Sequence, residues 1–239
     1  MMPVGDRWNI LKGGAAAAWP ICLGYAPIGL AFGVLAQKAG LTPWEIGLMS
    51  LLVYAGSAQF IAVSMIESGA QAIPIILTTF TINLRHLLMS SSLAVHLQGL
   101  GRGWLSLYAY GVTDESFALN TARFRDREWD WRRALVLNHA SNCAWIASTV
   151  IGGYGGQFIP AGAFGIDYAL PAMFICLLVM QIRDSLHVAM AVLSGLLAVA
   201  LSLLLPGNIY IVAASVTAAT VGMFLRKRRA GIVESGEFP

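Results

Sequence analysis

The sequence predicts an all-α, polytopic transmembrane helical bundle of about eight spans, or six to eight if some helices are re-entrant or broken. Of its 239 residues, 57% are hydrophobic and only 11% are charged, whereas a soluble domain has roughly 25% charged residues. The mean hydropathy of +0.70 agrees. Three scattered cysteines exclude a disulfide-rich secreted domain. This composition also argues against a soluble enzyme.

Eight apolar segments follow one another along the chain. A helix needs about 20 residues to cross a bilayer. The last uncharged run, 185–225, is too long for one span, and the turn-forming residues Pro206, Gly207 and Asn208 divide it. The predicted spans lie near residues 13–36, 46–66, 70–97, 103–120, 134–152, 168–182, 185–205 and 209–225.

The basic residues predict that both termini are cytoplasmic. In that orientation only Lys38 and Arg102 lie outside, and the other basic residues near span ends, including the cluster Arg226–Arg229, lie inside. The predicted organisation is a single integral membrane domain over 1–239, with a basic tail over 226–239. The lipid bilayer is the expected environment of the chain. Because the charges are clustered at a few places, the overall pI says little about nucleic acid, and no nucleic-acid partner is predicted.

The first span contains residues that break helices. Pro20 and Pro27 each remove a backbone N–H donor, and three glycines nearby lower the cost of unwinding. These residues predict a broken or kinked helix whose exposed backbone faces protein or a water-filled cavity. Close helix packing through small residues is the alternative.

Small and polar residues interrupt the second span near its middle. Ser57 and Gln59 carry donors and acceptors that lipid cannot satisfy, and the neighbouring Gly56 lets a helix or a ligand approach closely. We interpret Gly56, Ser57, Gln59 and Phe60 as cavity-lining, substrate-binding residues. Hydrogen bonding between helices is the alternative.

The third span places an arginine inside an apolar stretch. As one helix, 70–97 would be about 42 Å long, which exceeds the roughly 30 Å hydrocarbon core, so it must tilt, kink or break. Arg85 keeps its charge and needs a partner. If this segment is partly unwound, Asn83, Arg85 and His86 face a cavity. Alternatively, two short spans leave Arg85 at a membrane surface.

The fourth span, near 103–120, contains two acidic residues. Asp114 and Glu115 point about 100° apart on a helix, so one of them can pair with Arg85 while the other titrates. Alternatively, Thr113 caps a helix that begins here, and the helix dipole favours both carboxylates. This segment is thus a full span with internal charges or a half-span.

The fifth span carries a second polar group. It contains Asn138, His139, Ser141 and Asn142, of which the first and last lie one helical turn apart. In an apolar environment such side chains find partners on neighbouring helices. We therefore predict that this group joins helices.

Five sequence stretches together resemble the AzlC family, the large subunit of branched-chain amino acid exporters. The stretches are GYAPIGLAFG, LMSLLVYAGSAQF, GAQAIPIILTTFTINLRHLLMSSSL, TDESFAL and GIDYALPAMFICLL, and the resemblance covers roughly residues 15–225. It implies a bacterial inner-membrane exporter of valine, leucine and isoleucine, with methionine as a further candidate. It also implies a separately encoded, small AzlD-like membrane subunit as partner.

An amino acid substrate would assign roles to the charged residues. Arg85 or the N-terminus of an unwound helix would meet the carboxylate, and Asp114 or Glu115 would meet the ammonium group. Proton exchange through Asp114, Glu115 or His86 is the expected energy source, because the chain has no Walker-type nucleotide loop. No catalytic residue, metal site or cofactor is predicted.

Two other classes of protein remain as alternatives. One is a channel, or a structural subunit of a membrane complex. The other is an intramembrane enzyme, for which His86, Ser57, Asp114 or Ser116 would supply the reactive groups. The sequence contains no HExxH motif, no GxSxG elbow and no paired catalytic aspartates in adjoining spans, so we prefer a carrier.

Overall fold

The computed structural model is helical and has no strand within the residues it describes. These residues are 4–126, 129–159, 182, 184–204 and 221–225, with single positions 168, 172, 175, 178, 179, 214, 217, 218 and 220. The chain divides into two compact units, Met1–Leu170 and Pro171–Pro239. The first unit contains every candidate site residue, so the fold is described chiefly for that unit.

Eight α-helices fall in the described parts of the chain. They are α1 (Val4–Lys38), α2 (Pro43–Leu52), α3 (Gly56–Glu67), α4 (Ala72–Leu93), α5 (Arg102–Tyr110), α6 (Asp114–Arg125), α7 (Trp131–Gly155) and, in the second unit, α8 (Ser185–Ser202). Single 3₁₀ turns follow α4 at Ala94–His96 and α7 at Gly156–Phe158.

Three segments of the described helices are long and apolar enough to cross a membrane. They are Asp6–Lys38, Ala72–His96 and Ser185–Ser202, and they overlap the first, third and seventh predicted spans. The predicted span near 168–182 falls mostly outside the described residues, and 8 of the 17 residues of the predicted span near 209–225 do so as well. The predicted basic tail lies wholly outside them.

Two helices start with a side-chain cap, and each cap lies just outside a predicted span. In α2, Glu45 accepts hydrogen bonds from the backbone N–H and the hydroxyl of Thr42, and these bonds hold the pKa of Glu45 below its ordinary value. In α8, Asp184 accepts from the backbone N–H of His187 at 2.9 Å, and this bond, together with the His187 ring, lowers the pKa of Asp184. Both carboxylates satisfy orphan donors at a helix start.

Of the predicted alternatives for the first span, a broken or a kinked helix, the break is absent. Helix α1 runs unbroken through 35 residues, although Pro20 and Pro27 lie inside it. Each proline removes one backbone hydrogen bond, but α7 packs along α1 and supports it. The Ser148 hydroxyl of α7 lies 3.4 Å from the Tyr25 carbonyl oxygen, next to the second proline.

Glycines bring the backbones of α1 and α7 into contact. A Cβ atom on Gly33 would lie 2.1 Å from the carbonyl oxygen of Thr149, and one on Gly152 would lie 2.2 Å from the carbonyl oxygen of Leu30. Such distances are far inside van der Waals contact, so only glycine fits at either position. The small residues of the first span therefore serve close packing, the alternative interpretation of that span.

A methyl group at Gly33 should destabilise the protein. We expect Gly33→Ala to cost about 1–3 kcal/mol, because the backbones of α1 and α7 must separate. Gly24→Ala on the same helix is the matched control, since a Cβ there meets nothing within 4 Å. Thermal midpoints of the detergent-solubilised proteins, followed by size-exclusion chromatography, should fall for Gly33→Ala only. Equal midpoints would contradict the assigned packing.

Helix α4 is shorter than the predicted third span, 70–97. It begins at Ala72 and ends at Leu93, so its 22 residues measure about 33 Å. Arg85 lies within this continuous helix, about 20 Å from its first residue and about 12 Å from its last. The segment is therefore neither unwound at Arg85 nor divided into two short spans.

The second and fourth predicted spans are each two helices. Residues 53–55 separate α2 from α3, and in this break Tyr54 has a φ of 41°, a left-handed conformation that is uncommon for residues other than glycine. Residues 111–113 separate α5 from α6, so the segment near 103–120, predicted as a full span or a half-span, consists of two shorter helices. Both breaks leave a helix N-terminus inside a predicted span.

Candidate functional site

Arg85 connects the two helices that begin after the breaks. Its guanidinium donates to the Ser57 hydroxyl in the first turn of α3, and its Nη1 atom lies 3.0 Å from Oδ2 of Asp114, the first residue of α6. The predicted pairing of Arg85 with one of the two carboxylates is therefore present. The side chains of Arg85 and Asp114 are 31% and 32% exposed, so the pair is accessible from outside the protein.

Thr113 caps the N-terminus of α6, as the alternative interpretation of this segment predicted. Thr113 Oγ1 accepts from the backbone N–H of Ser116 at 3.3 Å, and Ser116 Oγ accepts from the backbone N–H of Thr113 at 2.8 Å. This capping box fixes the direction of the first turn. The positive end of the helix dipole favours the carboxylates of Asp114 and Glu115 there.

Glu115 has a different kind of partner from Asp114. The Tyr25 hydroxyl oxygen lies 2.7 Å from Glu115 Oε2 and 2.9 Å from Thr113 Oγ1. Tyr25 is 7% exposed, and its ring meets the edge of the Trp145 ring. Adjacent carboxylates therefore face a cation on one side and a buried hydroxyl on the other.

Within the described residues, Asn83 and His86, the other predicted residues of α4, form no hydrogen bond with the Arg85–Asp114 ion pair. Asn83 is two positions from Arg85 on a continuous helix, so the two side chains do not share a face. His86 lies within electrostatic reach of Arg85, Asp114 and Glu115. The Nε atom of Arg85 is buried and has no hydrogen-bond acceptor within the described residues, which leaves one donor of the guanidinium for another partner.

Gln59 joins helices across the first break. Its Nε2 atom donates to Ser50 Oγ at 3.0 Å, its Oε1 atom accepts from Trp145 Nε1 at 2.9 Å, and Ser50 lies 2.8 Å from Thr149 Oγ1. Gln59 is completely buried. These bonds link α2, α3 and α7, which is the helix-joining alternative considered for this residue.

Gly56 and Phe60 pack in the protein interior. A Cβ atom on Gly56 would lie 3.2 Å from the Trp145 ring. The Phe60 ring meets the Phe32 ring edge-on, with centroids 5.1 Å apart, and Phe60 is 2% exposed. Of the predicted residues on α3, Ser57 is thus the one in direct contact with the ion pair.

Tyr110 ties the ends of the two helices that precede the breaks. It is the last residue of α5, and its hydroxyl donates to the Leu51 carbonyl in the last turn of α2. The same hydroxyl accepts from Asn142 Nδ2 at 3.2 Å, and the Tyr54 and Tyr110 ring centroids are 6.1 Å apart. Because α2 meets α5 before the breaks and Arg85 bridges α3 and α6 after them, the two breaks lie side by side.

The predicted helix-joining role of the polar group on α7 is confirmed for Asn138 and Asn142, whereas Ser141 donates to the Leu137 carbonyl of its own helix. Asn138 Oδ1 accepts from Asn120 Nδ2 at 2.9 Å, and Asn120 Oδ1 accepts from Trp129 Nε1 at 3.0 Å. Asn142 reaches Tyr110, as described above. This network holds α5 and α6 against α7 and so supports the second break.

Two tyrosines of the site were missed by the sequence analysis. Tyr25 and Tyr110 lie in apolar stretches, where a tyrosine resembles any large hydrophobic residue. The available signal was the hydroxyl group, because a buried tyrosine hydroxyl usually has a hydrogen-bond partner. Within the described residues, no group of three His, Cys, Asp or Glu side chains is placed to hold a metal ion.

Comparison with known proteins identifies the family of the chain. The family model described as AzlC protein matches residues 20–159, a range that contains every residue of the site. The chain is 32% identical over 197 residues to the inner membrane protein YgaZ of Escherichia coli, covering 79% of this chain and 80% of the relative. It is 29% identical over 226 residues to the branched-chain amino acid transport protein AzlC of Bacillus subtilis, covering 92% and 87%.

A third relative comes from an archaeon. An uncharacterized membrane protein of Archaeoglobus fulgidus is 31% identical over 212 residues, covering 86% of this chain and 91% of the relative. No solved structure matches the chain. The family model spans more than half of the chain, and relatives from bacteria and an archaeon align with most of it. This helical membrane protein therefore belongs to the AzlC family.

Proposed function

We propose that the protein is the large subunit of a carrier that exports branched-chain amino acids across the bacterial inner membrane in exchange for protons. The substrates are valine, leucine and isoleucine, with methionine as a further candidate. The name of the Bacillus subtilis relative supports the substrate class. The observation that carries the proposal is Arg85, which lies between two broken spans, is partly exposed and has a carboxylate beside it.

A zwitterion can replace both halves of the Arg85–Asp114 pair. The substrate carboxylate takes the hydrogen bond that Arg85 Nη1 gives to Asp114, and the substrate ammonium group pairs with the carboxylate of Asp114. Each charge keeps an opposite charge beside it during this exchange, which avoids leaving a bare ion inside the membrane. Ser57, which already contacts Arg85, holds the guanidinium in place.

An apolar substrate side chain requires apolar walls beside this charged centre. Ile82 and Met89 lie on α4 one turn before and one turn after Arg85, on the same face, and Leu51 at the end of α2 is 45% exposed. We assign these three residues to the side-chain pocket. Gly56, Gln59 and Phe60 maintain the first break, and Asn83 lies beside the pocket on another face of α4.

Glu115 is the proton-carrying group in this proposal. Asp114 is paired with Arg85, whereas Glu115 Oε2 contacts the Tyr25 hydroxyl, which can donate to a carboxylate or accept from a carboxylic acid. His86, within electrostatic reach of both acids, is the second candidate for the proton. Cytoplasmic termini and the small AzlD-like subunit complete the proposed carrier.

Efflux from cells tests the proposal. Labelled valine, leucine, isoleucine and methionine are loaded into bacteria that lack their own branched-chain exporters and express this chain with or without the small subunit. We expect saturable efflux and counterflow of the branched-chain substrates only when both chains are present. Transport without counterflow would indicate a channel, and no efflux from a correctly assembled pair would overturn the substrate assignment.

A further inference from the structure

We propose that Tyr25 and Thr113 form a reversible hydrogen-bond relay that lets Glu115 gain and lose a proton while every hydroxyl of the relay stays paired. Tyr25 is thus a positioning residue for the proton-carrying carboxylate. The inference rests on the proposed function for its role in transport, and on the geometry of three neighbouring side chains for its chemistry.

The relay is a line of closely spaced oxygen atoms. Glu115 Oε2 lies 2.7 Å from the Tyr25 hydroxyl oxygen, which lies 2.9 Å from Thr113 Oγ1, which in turn lies 3.4 Å from Ser116 Oγ. Tyr25 is 7% exposed, Thr113 is 6% exposed and Ser116 is fully buried. Burial makes an unpaired hydroxyl costly at each of these positions.

The charged form of Glu115 fixes one direction of the relay. A carboxylate only accepts hydrogen bonds, so Tyr25 donates its single hydroxyl hydrogen to Glu115. Thr113 can then donate its own hydroxyl hydrogen to the Tyr25 oxygen. Thr113 Oγ1 still accepts from the backbone N–H of Ser116, so the helix cap is intact.

The protonated form of Glu115 reverses the direction. The carboxylic acid donates to the Tyr25 oxygen, Tyr25 donates to Thr113 Oγ1, and Thr113 donates to Ser116 Oγ. Two hydroxyl groups rotate, and the O–H bonds of Tyr25 and Thr113 stay intact. The one O–H bond that forms is on Glu115, when its proton arrives. Thr113 Oγ1 accepts from the Ser116 N–H in this form too, so the backbone does not move between the two states.

Other ionisable groups around Glu115 do not reproduce this relay. Asp114 is paired with Arg85 at 3.0 Å, and the arginine keeps its charge at any working pH. His86 on α4 and Tyr54 in the first break lie within electrostatic reach of Glu115. Within the described residues, the Glu115 side chain forms its hydrogen bond with the Tyr25 hydroxyl.

Tyr25→Phe tests the relay, because it keeps the ring that packs against Trp145 and removes only the hydroxyl. A hydrogen bond to a charged acceptor is stronger than one to a neutral acid, so the charged form of Glu115 loses more. The carboxyl should therefore hold its proton to a pH about one unit higher. The readout is the infrared C=O stretching band of the protonated carboxyl in the purified complex, assigned by its loss in Glu115→Gln.

Two further variants separate the relay from general effects of substitution. Tyr108→Phe removes another buried hydroxyl, one with no hydrogen bond within the described residues, and should leave the titration midpoint unchanged. Thr113→Ser keeps both the cap and the relay and should also match the wild type. The same midpoint in Tyr25→Phe and wild type, or a wild-type protein with no band assigned to Glu115, would overturn the inference.

Titration and transport fail independently. The infrared midpoint needs neither substrate nor a proton gradient, so the relay is tested even in a protein that exports nothing. A shifted midpoint together with no leucine efflux would retain the relay and reject the proposed function. Proton-coupled leucine efflux with an unshifted midpoint would retain the proposed function and reject the relay.

Discussion

Replacement of Arg85 by glutamine should reduce leucine efflux by roughly 30-fold, the loss expected when a charged hydrogen-bonding partner worth about 2 kcal/mol is removed. Glutamine keeps hydrogen-bonding capacity but has no charge for the substrate carboxylate. Asp114 would retain its negative charge beside the site and repel that carboxylate. Initial efflux rates at matched protein levels in the membrane measure the effect.

A double variant distinguishes substrate binding from simple charge neutralisation. If Arg85 serves only to neutralise Asp114, then Arg85→Gln with Asp114→Asn should restore efflux, because no unpaired charge is left. If Arg85 binds the substrate carboxylate, the double variant should assemble in the membrane and still fail to transport. Arg102→Gln on the exposed start of α5 is the matched control and should retain full efflux.

The chemistry of the site was largely predictable from local sequence. An arginine inside an apolar stretch requires a partner, and two acids in a neighbouring span were the available candidates, so the contact of Arg85 with Asp114 follows from charge alone. The Thr113 cap also follows from local residue types. Which of the two acids meets Arg85 depends on the direction of the first turn of α6, which only the fold fixes.

The continuity of α1 was not predictable from its own residues. Pro20 and Pro27 weaken the helix by a local rule, but the compensating contacts come from α7, more than a hundred residues later in the chain. Gly33 and Gly152 fit together only because the two backbones touch. From the sequence of one helix alone, a glycine indicates flexibility or close packing equally well. The position of the partner helix distinguishes the two.

Long-range partners also explain why Gln59 was assigned to a substrate cavity and why Tyr25 was missed. Gln59 bonds to Trp145, 86 positions away, and Tyr25 bonds to Glu115, 90 positions away. A polar side chain in a predicted span indicates that a partner is needed, but the sequence does not show whether that partner is a helix or a ligand. For Gln59 the fold supplies both partners from protein, whereas the Nε–H of Arg85 has no acceptor within the described residues.

Replacement of Glu115 by glutamine should abolish the coupling of leucine export to the proton gradient. An amide resembles the protonated acid but cannot release a proton, so the carrier would complete no proton-coupled cycle. With one proton exchanged per leucine, a pH difference of one unit sustains about a tenfold leucine gradient. Membrane vesicles with an imposed pH difference should hold this gradient with the wild type and none with Glu115→Gln.

Counterflow shows whether the Glu115→Gln protein is still a carrier. Exchange of labelled for unlabelled leucine moves no net proton, and Arg85 and Asp114 remain in place to bind the substrate, so exchange should persist. Glu67→Gln at the exposed end of α3 is the matched control and should behave as the wild type in both assays. If Glu115→Gln sustained a pH-driven leucine gradient, Glu115 would not be the proton carrier. The role would then pass to Asp114 or His86, two titratable side chains within electrostatic reach of Arg85.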